Sequence, residues 1–124
     1  MKILVDDEKY IRSSLCEILV DEGYEADSAE NGKTALEMVS KEKDSVIFCD
    51  IKMPEMDGLQ LLPQLLGTDP EATVVMMSGH GDIDTAVECI TKGAFDFIQK
   101  PLDLNRILIT VKNATEKSSL VTQT

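Results

Sequence analysis

Five short strand-like runs, at residues 2–5, 24–28, 45–50, 73–77 and 95–98, alternate with segments of helical period. That alternation limits the fold more than any other feature. Val46-Ile47-Phe48-Cys49 is apolar without a break, the pattern of a strand covered on both faces. Strand–helix units in strict succession imply a parallel sheet with helices above and below it. A chain of 124 residues is one domain's worth. The expectation is therefore an α/β, doubly wound, five-stranded parallel sheet.

The helical segments carry their own punctuation. Over 8–22, Ile11, Leu15, Ile18 and Leu19 fall on one face and Gly23 stops the helix. Asn31-Gly32 opens a second helix with Ala35, Leu36 and Val39 inward. A third, over 58–66, places Leu59, Leu62 and Leu66 inward, and Pro63 predicts a kink because it lacks the N–H and crowds the preceding turn. Asp82 caps a fourth helix carrying Ile83, Ala86, Val87 and Ile90, stopped by Gly93. Asp103 caps the last, with Leu104, Ile107, Leu108, Val111 and Ala114 inward. Beyond residue 117 the apolar pattern lapses, so 1–117 reads as the domain and 118–124 as a tail or linker stub.

Composition excludes several classes. No apolar run approaches the ~18 to 20 residues of a membrane span. Met1-Lys2 leads directly into Ile3-Leu4-Val5, which is not the pattern of a secretory leader. A net charge of −11 opposes the phosphate backbone, so direct nucleic-acid binding is not expected. Cys16, Cys49 and Cys89 are odd in number, widely spaced and set among apolar neighbours. They read as small core residues in a reducing cytoplasm, not as a zinc site or disulfide framework.

Chemistry gathers at the carboxyl ends of the runs, where doubly wound sheets place their sites. The first run ends at Asp6-Asp7, the third at Asp50, the fourth at Ser78-Gly79 and the fifth at Lys100-Pro101. Two carboxylates ~4 Å apart repel by roughly 4 kcal/mol at an effective dielectric near 20. Three acids on one edge therefore call for a cation, and Mg²⁺ prefers carboxylate oxygens and water. With metal and Lys100 counted the edge becomes cationic and suits a phosphoryl group. Asp50, at the end of a buried strand, is then a candidate nucleophile for an acyl phosphate, with Ser78 as a hydrogen-bond donor to a phosphoryl oxygen.

The motifs "ILVDDE", "VIFCDIKMPEMDG", "VVMMSGHGD" and "GAFDFIQKP" together resemble the receiver domain of bacterial two-component response regulators, over about residues 2–116. The resemblance implies a flavodoxin-like sheet of order 2-1-3-4-5, an order that general fold rules illustrate partly with a member of this family. It implies Asp50 as phosphoacceptor, and Asp6 and Asp7 as the Mg²⁺ pair with Asp7 the more direct ligand. Lys52 supplies its backbone carbonyl to the metal, Ser78 and Phe97 are switch residues, Lys100 pairs with the phosphoryl group, and Pro101 follows a cis peptide bond. The first run is one apolar residue shorter than the family's usual pattern, and Pro63 is unusual within the third helix. His80, two residues beyond Ser78, stays open between an influence on dephosphorylation by water and an exposed loop position without a role.

The implied function is a signalling module, not an enzyme acting on other substrates. It takes a phosphoryl group from a sensor histidine kinase, catalyses its own aspartyl phosphorylation and dephosphorylation, and switches the face made by helix four, strand five and helix five. Similarity of "SGHGDIDTAVECITKGAFDFIQKP" to receivers of the nitrogen-regulator class points to control of ATPase and DNA-binding output domains in transcription. A homodimer on phosphorylation is a further expected partner. Alternatives are a docking module of receiver shape that is not phosphorylated and a Mg²⁺-dependent aspartyl-phosphate phosphatase. The phosphatase would need a second Asp where Lys52 stands, and a flavin-binding relative would meet the acids of Asp6-Asp7-Glu8 where it needs a phosphate cradle.

Overall fold

The structure is a computed structural model that describes residues 2–53, 56–79 and 83–123, with side chains through residue 116. His80 and Asp82, the expected cap of the fourth helix, lie outside the described residues. The element order is β1 (Lys2–Val5), α1 (Lys9–Asp21), β2 (Ala26–Ala29), α2 (Gly32–Lys41), β3 (Val46–Asp50), α3 (Gly58–Thr68), β4 (Thr73–Ser78), α4 (Ile83–Thr91), β5 (Asp96–Gln99) and α5 (Leu104–Gln123). All strand pairs are parallel, and the sheet order is β2-β1-β3-β4-β5.

Two cores flank the sheet, and strand alternation assigns residues to them. Ile3, Val5, Ile47, Cys49, Val74 and Met76 face the core shared with α2, α3 and α4. Leu4, Val46, Phe48, Val75, Met77 and Ile98 face the core shared with α1 and α5. Every residue of β3 and of β4 is buried, which is why these strands read as unbroken apolar runs. Asn31 caps α2 by accepting the Thr34 N–H at 2.9 Å. Asp57 caps α3 with a reciprocal bond to Gln60. Asp103 accepts the Asn105 N–H at 2.9 Å as α5 begins.

Three helical faces differ from expectation. In α3 the buried leucines are Leu61, Leu62 and Leu65, while Leu59 and Leu66 are only half-buried. Leucines crowd this segment, so two registers satisfy the helical period. Gly58 decides between them, because it is buried and sets the residues three, four and seven positions on facing inward. The helix continues through Pro63, whose ring is exposed. In α4 Cys89 takes the buried position, leaving Ile83, Val87 and Ile90 exposed at 81%, 58% and 52%. In α5 Leu104 is also exposed, whereas Ile107, Val111 and Ala114 are buried. Cys16 is half-buried, unlike Cys49 and Cys89. Helix α5 runs through the segment read as a tail, which contains no glycine or proline to stop it.

Candidate functional site

Register builds the site. Along the β1–β3 pair, Leu4 lies opposite Phe48 and Val5 opposite Cys49. One step further along that register, Asp6 meets Asp50. The Asp6 N–H extends the β1–β2 pairing by donating to Ala29 O at 3.3 Å. Asp6 is fully buried, Asp50 is 4% exposed and Asp7 faces solvent. One carboxylate oxygen from each of Asp6, Asp7 and Asp50 lies within 4.8 Å of the other two.

Lys100 enters from the end of β5. Its N–H donates to Ser78 O at 2.8 Å, and the following Lys100–Pro101 bond is cis, as the resemblance implies. Its Nζ lies 3.0 Å from Asp6 Oδ2 and 3.2 Å from Asp50 Oδ1. Burial lowers the ammonium's pKa, but the hydrogen bond and charge of Asp6, with those of Asp50, more than reverse this and raise it. Burial, then the charge of Asp6, push the Asp50 carboxyl up to about 6, with Lys100 holding it back. Burial first and Asp50 second raise the adjacent Cys49 thiol, so that cysteine is an inert core residue.

The charges favour a hard cation. Three ionised carboxylates and one ammonium leave two net negative charges (−3 + 1) in a largely buried cluster. At 4.8 Å, a pair of carboxylates repels by about 3.5 kcal/mol at an effective dielectric near 20. A divalent cation with oxygen ligands offsets that charge, and the exposed Asp7 leaves the cluster open to solvent on one side. Asp7, Glu8, Asp50, Lys52, Gly79 and Lys100 line a cleft of about 280 Å³ there. A water's share of liquid volume is about 30 Å³, so a hydrated cation and a phosphoryl group both fit.

The other expected site residues fall around this cleft. Lys52 is exposed on its rim. Ser78 ends β4, is 6% exposed, and stands one residue past Met77, which pairs with Asp50. Phe97 pairs with Met76 and is half-buried against the core of α2, α3 and α4. Two supporting residues escape sequence reasoning. Gly58 donates its N–H to Ile51 O at 2.7 Å, and a Cβ added to it would lie 2.4 Å from Asp50 O. Arg12 Nη1 donates to Asp6 O at 2.7 Å. The Asp57-Gly58 pair carries a turn signal, but nothing in the sequence says that the turn folds back onto Asp50. Nothing in the sequence marks Arg12 apart from other helix cations.

A family model described as the response regulator receiver domain matches residues 3–112. The nitrogen assimilation regulatory protein NtrX of Azorhizobium caulinodans is 41% identical over 116 residues, covering 92% of this chain and 26% of that protein. A crystal structure of NtrX from Brucella abortus in complex with ATP superimposes with a TM-score of 0.90 at 39% identity, over 98% of this chain and 28% of that one. A solution structure of the beryllofluoride-activated NtrC4 receiver domain dimer gives 0.89 at 38% identity, over 94% and 97%. The chain spans about a quarter of the length of the curated regulators it matches first.

Proposed function

This chain belongs to the response regulator receiver domain family, and on that premise we propose that it accepts a phosphoryl group on Asp50, from a sensor histidine kinase, with Mg²⁺ held beside it. The observation that carries the reading is the convergence of three carboxylates within 4.8 Å, two of them bridged by Lys100. Asp6 and Asp7 would hold the metal with Asp50 and the Lys52 carbonyl. When bound, Mg²⁺ neutralises the carboxylates and the phosphoryl oxygens. The chain's own groups do the rest. Asp50 is held by its strand and by Lys100, and its free rotation is already lost. One of its oxygens forms a bond to phosphorus as the bond to the donor's imidazole nitrogen breaks. Lys100 then shifts its ion pair toward the new phosphoryl oxygens, and Ser78 donates to one of them.

Phosphorylation reaches the surface through β4 and β5. Ser78 ends β4, Phe97 lies on β5, and the apolar residues Ile83, Val87, Ile90 and Leu104 stand exposed on α4 and α5. Such a patch suits a second copy or an output domain. Moving a two-state equilibrium from 1:99 to 99:1 requires roughly 5.5 kcal/mol of preference for one state. The kinase has a surface of its own beside Lys100. Tyr10, Ile11, Leu15, Ile18, Pro101 and Leu102 line an apolar groove of about 310 Å³ there. In a longer regulator the output would be ATPase and DNA-binding domains that control transcription in the cytoplasm.

Incubation with Mg²⁺ and acetyl phosphate tests the site. Intact mass should show one added phosphoryl group, and none when Mg²⁺ is chelated before the donor is added. Asp50→Asn should take none. An adduct that persists in Asp50→Asn would remove Asp50 from its role.

A further inference from the structure

Arg12 reaches back from the fourth residue of α1 to the carboxyl end of β1. Its backbone N–H donates to Glu8 O at 3.1 Å while Nη1 donates to Asp6 O at 2.7 Å. Helical side chains lean toward the helix start, so the reach is unforced. The electrostatics are not obviously favourable. A helix start carries positive partial charge, and the first turn of α1 contains no acidic residue to balance a cation. The Glu8 side chain makes no capping bond either. What the guanidinium gains in this place is the Asp6 carbonyl.

That bond completes the restraint of Asp6. Its N–H donates to Ala29 O, Oδ1 accepts the Glu8 N–H at 2.9 Å, Oδ2 accepts from Lys100 at 3.0 Å, and its carbonyl accepts from Arg12. The Asp6 carbonyl and the Asp7 N–H share one planar peptide unit. Orienting that carbonyl therefore orients the backbone from which Asp7, the solvent-facing carboxylate, projects. We infer that Arg12 is a positioning residue for the acidic cluster: by gripping the Asp6 carbonyl it sets the β1–α1 turn so that Asp6 and Asp7 meet Asp50 around one cation. The inference rests on the reading that this cluster binds Mg²⁺.

Charge and positioning make opposite demands, and that separates them. If Arg12 acted only as a nearby positive charge, removing it would tighten Mg²⁺ binding. If it positions the turn, removing it weakens binding, by roughly 10-fold on the scale of groups that orient metal ligands. Isothermal titration with MgCl₂ on the parent, Arg12→Gln and Arg12→Lys reads this directly. Thermal melting of the metal-free proteins shows that folded protein is being titrated. Arg12→Gln should bind about 10-fold more weakly, and Arg12→Lys, which keeps one donor and the charge, should recover most of the loss. Unchanged or tighter binding by Arg12→Gln overturns the inference. Should Arg12→Gln not fold, amide hydrogen exchange at Asp7 and Glu8 in Arg12→Met, which keeps the apolar stem without a donor, decides: faster exchange supports the role and unchanged exchange refutes it. A parent protein that fails to bind Mg²⁺ at all would instead strike the metal reading beneath it.

Discussion

Replacing Asp50 by Asn should stabilise the metal-free protein at neutral pH while abolishing phosphorylation. Burial, then the charge of Asp6, raise the Asp50 carboxyl from 3.8 to about 6 despite Lys100. A folded-state pKa above the unfolded value means that the native state binds the proton more tightly. The folded protein is therefore relatively favoured at low pH and loses stability as pH rises from about 4 through about 6. At 1.36 kcal/mol per pH unit, ionising Asp50 in the fold costs up to about 3 kcal/mol by pH 7. Asparagine has nearly the shape of the protonated acid and never ionises, so Asp50→Asn should recover about 1 to 3 kcal/mol. Chemical denaturation at pH 4 to 8, in EDTA, measures the gap between parent and variant. The gap should be small near pH 4, widen through pH 6 and level off by about pH 7 to 8. Saturating Mg²⁺ should narrow it by stabilising the parent selectively. A gap that is absent at pH 7, or equally large at pH 4, would refute the argument that the site holds a destabilised carboxylate.

Three further outcomes follow from the geometry. Gly58→Ala puts a methyl group 2.4 Å from Asp50 O and 2.8 Å from Ile51 Cα. It should destabilise by about 1 to 3 kcal/mol, visible in a thermal melt, and should slow acetyl-phosphate labelling of Asp50. Asp69 is 3% exposed at the opposite end of the sheet, where its carboxylate accepts from the Asp44 and Glu71 N–H groups. Asp69→Ala should cost about 2 to 4 kcal/mol in denaturant titration, yet leave Mg²⁺ affinity unchanged. Val87→Lys, on the exposed face of α4, should leave labelling of Asp50 intact; sedimentation of the phosphorylated protein should show weaker self-association than the parent.

Periodicity and composition alone determined the class of fold and the edge that bears the chemistry. Unbroken apolar runs at β3 and β4 can be satisfied only by cover on both faces, and parallel crossovers then put Asp6, Asp50, Ser78 and Lys100 at one end of the sheet. These are local patterns, written in consecutive residues. Helix rotation was legible in α1, α2 and most of α5, where the expected Leu15, Leu19, Ala35, Val39, Ile107, Val111 and Ala114 are buried, but not in α3 and α4. Leucine occurs on several sides of α3, and the choice of Leu61, Leu62 and Leu65 depended on where Gly58 packs. On α4, small Cys89 lies against the sheet and the larger Ile83, Val87 and Ile90 turn outward, against their hydrophobicity. Arg12 on Asp6 O and Asp69 on two loop N–H groups were equally hidden, because each pairs a side chain with a backbone atom. Backbone atoms are identical in every residue, so only the tertiary structure, which fixes distance and direction between segments, decides which of them a side chain will meet.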